Sequence, residues 1–154
     1  MRRFAHLADL AALVGQELAH SDVMRVDQSR IDAFAHVTED KQWPHVDARR
    51  AAEGPFGTTI AHGFLTLSLL PAMLATAFKI DDVRMGINYG LNRVRYPAPV
   101  PAGSRVRARI KLLGFEPLPI EAGGGAQLTL EATIEREGSI KPVCVAELLT
   151  RQHV

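Results

Sequence analysis

The chain has 154 residues, 47% of them apolar, which is enough for one domain with a hydrophobic core and short for two. Its formal net charge is +1, and no basic block marks a nucleic-acid-binding or membrane-surface segment. The single cysteine, Cys144, excludes an intrachain disulfide and a multi-cysteine zinc site, and its apolar surroundings predict a buried strand position. We expect one domain, residues 1–154, whose partner is a small molecule or a second copy of the chain.

The first residues are not typical of a secretory signal. Met1-Arg-Arg is followed by Asp9, Gln16 and Glu17 within an amphipathic pattern, where a signal peptide has an uninterrupted apolar segment. A cytoplasmic location is therefore the expectation. Helical spacing over residues 6–13 predicts a first helix, and residues 24–27 predict a short strand.

A second helix is predicted from Arg30 to about Thr38, with Ser29 and Asp32 as its capping arrangement. Asp40 then falls in a loop at or beyond the C-terminus of this helix. Pro44 disfavours helix at Trp43 and stiffens the connection that follows. His45 is thereby held at a fixed offset from Asp40.

The longest apolar segment covers residues 57–78, which contain no Asp, Glu, Lys or Arg. It follows a short predicted helix at 47–53 and the breaker Gly54-Pro55. Its apolar residues surround all sides of a helix, so we expect a buried central helix with Thr58 or Thr59 as N-cap and a bend at Pro71. Its polar residues argue against a membrane span.

From residue 84 the hydrophobic pattern has period two, which predicts strands at 84–95, 104–114, 126–136 and 142–151. We expect consecutive strands to be antiparallel neighbours. One sheet face is apolar, and the other carries a basic row from Arg105 to Lys111, for which Glu131 and Glu135 offer cross-strand partners. The predicted fold class is α+β, a curved antiparallel sheet wrapped around the central hydrophobic helix.

Asp40 and His45 are the candidate catalytic pair. A carboxylate and an imidazole at a fixed spacing suit general acid and base catalysis, in which the two groups hold one water, remove its proton and return a proton to carbon. That chemistry adds water across an activated double bond. The spacing alone favours an ordinary loop salt bridge near the C-terminus of the helix.

Gly63 lies near the start of the predicted central helix, where a backbone N–H lacks an intrahelical acceptor and could receive a developing enolate oxygen. The alternative is a glycine required only for close packing of helix on sheet. His62, considered alone, favours a structural hydrogen-bonding histidine. Arg93 and Arg95 are candidates for contacts with phosphate groups.

Three segments together resemble the MaoC-like, (R)-specific enoyl-CoA hydratases, in particular the NodN-like single-domain branch found in actinobacteria. These segments are the Asp-x4-His motif at 40–45, the sequence FGTTIAHGFLTL at 56–67, and INYGLNRVRYPAPVPAGS at 87–104. The resemblance covers most of the chain. It implies a hot-dog fold, a homodimer whose sheets pair edge to edge, and a site near the dimer interface.

The resemblance also implies roles for particular residues. Asp40 and His45 would activate a water that adds to a trans-2-enoyl thioester, and the Gly63 N–H would hold the thioester oxygen. The candidate substrate-binding residues are His62, Asn88, Arg93 and Arg95. Coenzyme A belongs to the substrate, and neither a metal nor another cofactor is expected. Two alternatives stay open, namely a hot-dog acyl-CoA thioesterase and a non-catalytic acyl-thioester-binding protein.

Overall fold

The computed structural model describes residues 1–154, apart from the side chain at position 122. The strands are β1 (Arg2–Phe4), β2 (Glu17–His20), β3 (Met24–Val26), β4 (Phe78–Ile80), β5 (Met85–Arg95), β6 (Ser104–Pro117), β7 (Ala126–Arg136) and β8 (Cys144–His153). The α-helices are α1 (Gln28–Thr38), α2 (Trp43–Val46), α3 (Ala48–Ala52), α4 (Gly63–Ser68) and α5 (Leu70–Ala77), and 3-10 turns lie at Leu7–Leu13 and Ile120–Ala122.

The main sheet is antiparallel, with strand order β2-β6-β7-β8-β5 and β3 as a further partner of β6. The four long predicted strands are therefore confirmed. The expectation that consecutive strands are neighbours is wrong for β5, which pairs with β8 at the far edge. The prolines at 97, 99 and 101 account for this, because they stiffen the β5–β6 connection and do not suit a tight hairpin.

The inner face of the sheet and the two central helices form one hydrophobic core. The predicted alternation on β6 and β7 is confirmed, since the apolar residues of each strand are buried. Leu70, Met73 and Ala77 of α5 are also fully buried against this core. Leu7 and Leu10 of the first 3-10 turn and Ile31 of α1 complete this core, so sheet and helices stabilise each other.

The central helix is shorter than its apolar pattern predicts. Residues 57–62 are not helical, and Ile60 instead forms a β-bridge with Pro101. The helix begins at Gly63, and its N-cap is His62, so the expected cap at Thr58 or Thr59 is wrong. Thr59 donates its hydroxyl hydrogen to Gln28 Oε1.

The apolar helix is interrupted at Leu69, between α4 and α5 and two residues before Pro71, and the bend expected at Pro71 stays a prediction. Pro71 lies in the first turn of α5, where a missing N–H costs least. Within the described residues, no helix is long and apolar enough to cross a membrane.

Helix α1 begins two residues earlier than predicted and has a different cap. The Asp27 carboxylate accepts the Arg30 N–H at 3.0 Å and the Ser29 hydroxyl at 2.8 Å, so the predicted cap of Ser29 with Asp32 is wrong. The Arg30 N–H, followed by the Ser29 hydroxyl, lowers the pKa of Asp27. The C-terminus of α1 stays at Thr38, as the pattern indicates.

Candidate active site

Asp40 lies in the predicted loop just beyond α1. Glu39 ends the helix in the left-handed conformation, with φ 62°, and turns the chain away from the helix axis. The Asp40 side chain has 41% of its surface exposed, so its carboxylate can reach solvent and a bound molecule. The helix end therefore delivers an accessible carboxylate at a defined position.

His45 lies on α2, a single helical turn. The expectation that Pro44 keeps Trp43 out of a helix is wrong, because Trp43 is the first residue of α2 and Pro44 occupies its first turn. Two hydrogen bonds join this turn to the segment before α4. Pro44 O accepts the Ile60 N–H at 2.9 Å, and His45 Nδ1 lies 2.7 Å from Ile60 O.

The bond to Ile60 assigns the ring proton of His45. A carbonyl oxygen only accepts, so Nδ1 carries the hydrogen and donates it. The other ring nitrogen, Nε2, then has a lone pair, as a general base requires.

Asp40, His45 and His62 form one cluster, in which each residue offers an oxygen or nitrogen within 4.8 Å of the others. The His62 ring stacks on the His45 ring, with centroids 3.7 Å apart and an interplanar angle of 24°. His62 Nε2 donates to the backbone oxygen of Asp40 at 2.9 Å. The structure therefore brings together the two predicted catalytic side chains and one further histidine.

The cluster has the residue types of a metal site, but its hydrogen bonds favour acid-base chemistry. Each histidine already has one N–H committed to a backbone carbonyl, at Ile60 O and Asp40 O. Only the Asp40 carboxylate and His45 Nε2 remain as accessible ligands, whereas a catalytic zinc typically has three protein ligands. These two groups suit a shared water better than an ion.

Gly63 is the first residue of α4, so its N–H has no acceptor within the helix. The Tyr96 ring packs directly against this glycine. A Cβ at position 63 would lie 3.1 Å from two carbons of that ring, which is too close for ordinary contact. Glycine at this position thus meets a packing requirement, and it also leaves the N–H open to a ligand.

A cavity of about 350 Å³ adjoins Gly63. Its walls are mainly apolar and include Phe56, Ile60, Tyr96 and Val100. Burial, with a contribution from Cys144, raises the pKa of the Tyr96 phenol. The cavity offers an apolar group a binding place beside the Gly63 N–H.

A larger cleft, of about 470 Å³, lies on the outer face of the sheet and contains none of the cluster residues. Three of its arginines are ion-paired, with Arg105 3.0 Å from Glu137, and Arg107 and Arg109 3.3 and 3.5 Å from Glu135. The predicted pairing of the basic row is confirmed for Glu135. The smaller cavity is likewise not lined by Asp40, His45 or His62, but its lining includes Gly63 and Ile60, and the Ile60 carbonyl oxygen accepts the hydrogen bond from His45 Nδ1.

The other candidate substrate-binding residues lie on β5. Asn88 is an exposed residue in the middle of this strand, opposite Thr150. Tyr96 follows Asn88 by eight positions, which corresponds to roughly 26 Å along an extended strand. Arg93 and Arg95 lie closer to Tyr96, and both are exposed. The predicted substrate-binding roles of Asn88, Arg93 and Arg95 stay predictions.

Sequence reasoning missed two features of this site. The first is the Ile60 carbonyl, which sets the His45 tautomer and has no sequence signature because every residue has a backbone oxygen. The second is Tyr96, whose position over Gly63 depends on the path of the β5–β6 connection. An aromatic residue before the proline-rich segment was the only available signal.

The sequence matches the MaoC like domain family over residues 9–121. It is 52% identical over 151 residues to the 3-hydroxyacyl-thioester dehydratase Z of Mycobacterium tuberculosis, covering 98% of each chain. It is 48% identical over 148 residues to the Nodulation protein N of Rhizobium leguminosarum bv. viciae, covering 94% of this chain and 89% of that protein.

Among solved structures, the chain is similar to the R-hydratase PhaJ1 from Pseudomonas aeruginosa. The TM-score is 0.72 at 26% identity, and the match covers 91% of this chain and 81% of that one. The sequence family, the named relatives and the shared fold agree with the observed sheet and central helices. The chain therefore belongs to the MaoC-like dehydratase family, and it is a hydro-lyase with a hot-dog fold.

Proposed function

We propose that this protein is an (R)-specific enoyl-CoA hydratase, which adds water reversibly and syn to trans-2-enoyl-CoA and gives (R)-3-hydroxyacyl-CoA. The observation that carries the proposal is the pairing of an accessible Asp40 carboxylate with a His45 ring whose proton lies on Nδ1. Asp40 and His45 each offer an oxygen or nitrogen atom within 4.8 Å of the other, and two atoms at that spacing can both lie about 2.8 Å from one water oxygen. The pair is thus suited to hold and polarise a single water.

In the proposed reaction His45 Nε2 accepts one hydrogen of the water and Asp40 accepts the other. The water oxygen forms a bond to C3 of the enoyl group while one proton passes to the pair. The pair then returns a proton to C2. Both new bonds form on the face of the substrate that meets the pair, so the addition is syn.

The Gly63 N–H is proposed to stabilise the thioester oxygen as it gains negative charge. An oxyanion donor of this kind typically contributes a factor of about 10² to 10³ to kcat. The apolar cavity beside Gly63 would hold part of the acyl group. Arg93 and Arg95 are proposed contacts for the phosphates of coenzyme A, and the mechanism uses no further cofactor.

We also propose that the protein is a homodimer in which β5 pairs with β5 of a second copy. One edge of the sheet is formed by β2 and β3, which are short. The other edge is β5, a strand of 11 residues that pairs only with β8 among the described residues. A long apolar edge of this kind favours pairing with another strand.

The activity is tested by the loss of enoyl absorbance when purified protein is added to crotonyl-CoA and longer trans-2-enoyl-CoAs. We expect hydration by the wild type, and a fall in kcat of about 10² to 10⁴ in Asp40→Asn and in His45→Gln. Glu39→Gln is the matched control, because it removes the adjacent exposed carboxylate and should leave kcat within about twofold.

Unchanged turnover in both pair variants would contradict the assigned roles. Release of free thiol from saturated acyl-CoA would instead favour a thioesterase. That activity is disfavoured by the sequence of α4 and α5, which contains no Asp or Glu where such enzymes commonly have a carboxylate. Tight binding of crotonyl-CoA without hydration would favour a non-catalytic binding protein.

A further inference from the structure

His62 lies behind the catalytic pair, and its position indicates a role different from substrate binding. Only 3% of its side-chain surface is exposed. Its ring lies between His45, at 3.7 Å, and Phe34, at 5.0 Å between centroids. A side chain so enclosed has little surface to offer a substrate, while it contacts both members of the pair.

The hydrogen bond from His62 to Asp40 restrains the catalytic loop. The donor is Nε2, and the acceptor is the Asp40 backbone oxygen at 2.9 Å. The same nitrogen is 4.0 Å from Asp40 Oδ2, too far for a second strong bond. His62 therefore fixes the backbone of Asp40 and leaves the carboxylate free for water.

The ring stack restrains His45 in a way that its own hydrogen bond does not. The bond from His45 Nδ1 to Ile60 O fixes one atom, but it allows the ring to rotate about the N–O axis. Contact with the His62 ring at an interplanar angle of 24° removes that rotation. The direction of the His45 Nε2 lone pair is then set by two contacts.

The position of His62 is itself well fixed. Its backbone oxygen accepts the Thr66 N–H at 3.1 Å and the Thr66 hydroxyl at 3.3 Å. Its Nδ1 is buried without a hydrogen-bond partner among the described residues. A proton on Nδ1 would therefore be buried without an acceptor, which favours the tautomer that donates from Nε2.

We propose that His62 is a positioning residue of the active site, acting on Asp40 through its backbone oxygen and on His45 through the ring stack. The inference rests on the proposed function of the pair. Misplacement of reacting groups by about 1 Å costs on the order of 10²-fold in rate. Loss of either contact should therefore lower kcat and leave the affinity for the thioester nearly unchanged.

Two substitutions separate the contacts. His62→Phe keeps an aromatic face for His45 and removes the donor to Asp40, whereas His62→Gln keeps a donor of similar reach and removes the stack. We expect each to lower kcat by about tenfold to a hundredfold, with KM within about twofold. His62→Ala loses both contacts and should show at least the larger of the two effects. His36→Gln, an exposed histidine on α1, is the control.

Nuclear magnetic resonance of the ring nitrogens and protons provides a readout that does not depend on activity. In the wild type we expect the His62 proton on Nε2 and the His45 proton on Nδ1. The ring-current shift of the His45 protons should persist in His62→Phe and disappear in His62→Gln. A wild-type His62 proton on Nδ1 would overturn the inference even if every substituted protein failed to fold.

The kinetic results are equally decisive. Folded His62 variants whose kcat equals that of an active wild type would overturn the positioning role. A tenfold rise in KM with unchanged kcat would also overturn it, because it indicates direct substrate binding. A folded wild type that hydrates no enoyl thioester would instead contradict the proposed function, so the two failures are distinguishable.

Discussion

Strands β5 and β7 both have 11 residues, yet they differ sharply in burial. Strand β7 lies between β6 and β8, and its inner apolar residues from Leu128 to Ile134 are at most 1% exposed. Strand β5 has β8 on one side, and the large apolar residues Met85, Ile87, Tyr89 and Leu91 are 41–53% exposed. Position in the sheet thus decides burial, and β5 is the edge at which we propose that a second copy pairs.

The largest effect on stability is expected at the centre of β7. Leu130→Ala removes a buried side chain between two strands and should lower the free energy of unfolding by about 2–5 kcal/mol. Urea unfolding at one fixed protein concentration measures it. Glu131→Ala, on the outer face of the same strand, should stay within about 0.5 kcal/mol. Equal losses in the two variants would contradict the assignment of the inner face.

A charge on β5 should affect assembly more than folding. Leu91→Asp places a carboxylate on the exposed edge, and the twofold symmetry of a dimer would introduce it twice. We expect the dimer dissociation constant, measured by analytical ultracentrifugation, to rise at least about tenfold. Val14→Asp is the control, because Val14 is exposed to a similar extent, 44% against 43%, and lies outside β5. A wild-type monomer, or an unaffected dimer in Leu91→Asp, would contradict pairing through β5.

The smallest effect concerns Cys144 on β8, the strand that separates β7 from β5. Burial raises the pKa of its thiol to about 11 from an ordinary value of 9.0. Between pH 9.0 and about 11 the folded chain therefore keeps a thiol proton that the unfolded chain loses. The contribution of this thiol to the free energy of unfolding is fully present below pH 9.0 and is lost as the pH rises toward 11. Wild-type protein should lose more stability than Cys144→Ala between these pH values.

Thiol labelling provides a second check of the same prediction. At pH 8 the native thiol should react with a disulfide reagent at least about a hundredfold more slowly than in urea, because only the thiolate attacks. A native rate similar to the rate in urea would show that Cys144 is accessible and would contradict its burial.

The sheet could largely be predicted because each strand repeats its own pattern. The alternation on β6 and β7 specifies both the strand and its inner face without reference to the rest of the chain. The place of β5 in the sheet could not be predicted in the same way, because an alternating pattern does not indicate which strands pair with each other. The start of the central helix could not be predicted either, since residues 57–62, like the helix they precede, contain no Asp, Glu, Lys or Arg.

The site was predicted in part for a similar reason. Asp40 and His45 are close in sequence, so their proximity follows from a short, stiff connection. The link from His45 to Ile60 joins residues 15 positions apart, and the link from His62 to Asp40 joins residues 22 apart. In both links the acceptor is a backbone oxygen, which every residue has, so the residue types do not predict these contacts. The sequence thus indicates the catalytic pair, whereas the contacts that orient the pair can be identified only in the folded chain.

The most direct test of the central claim is the stereochemical course of hydration in D2O. If Asp40 and His45 act on one water at one face of the substrate, crotonyl-CoA should give the (R)-3-hydroxy product. Its deuterium at C2 and hydroxyl at C3 should have been added to the same face. An (S) product, an anti addition, or no hydration by the folded protein would contradict the account.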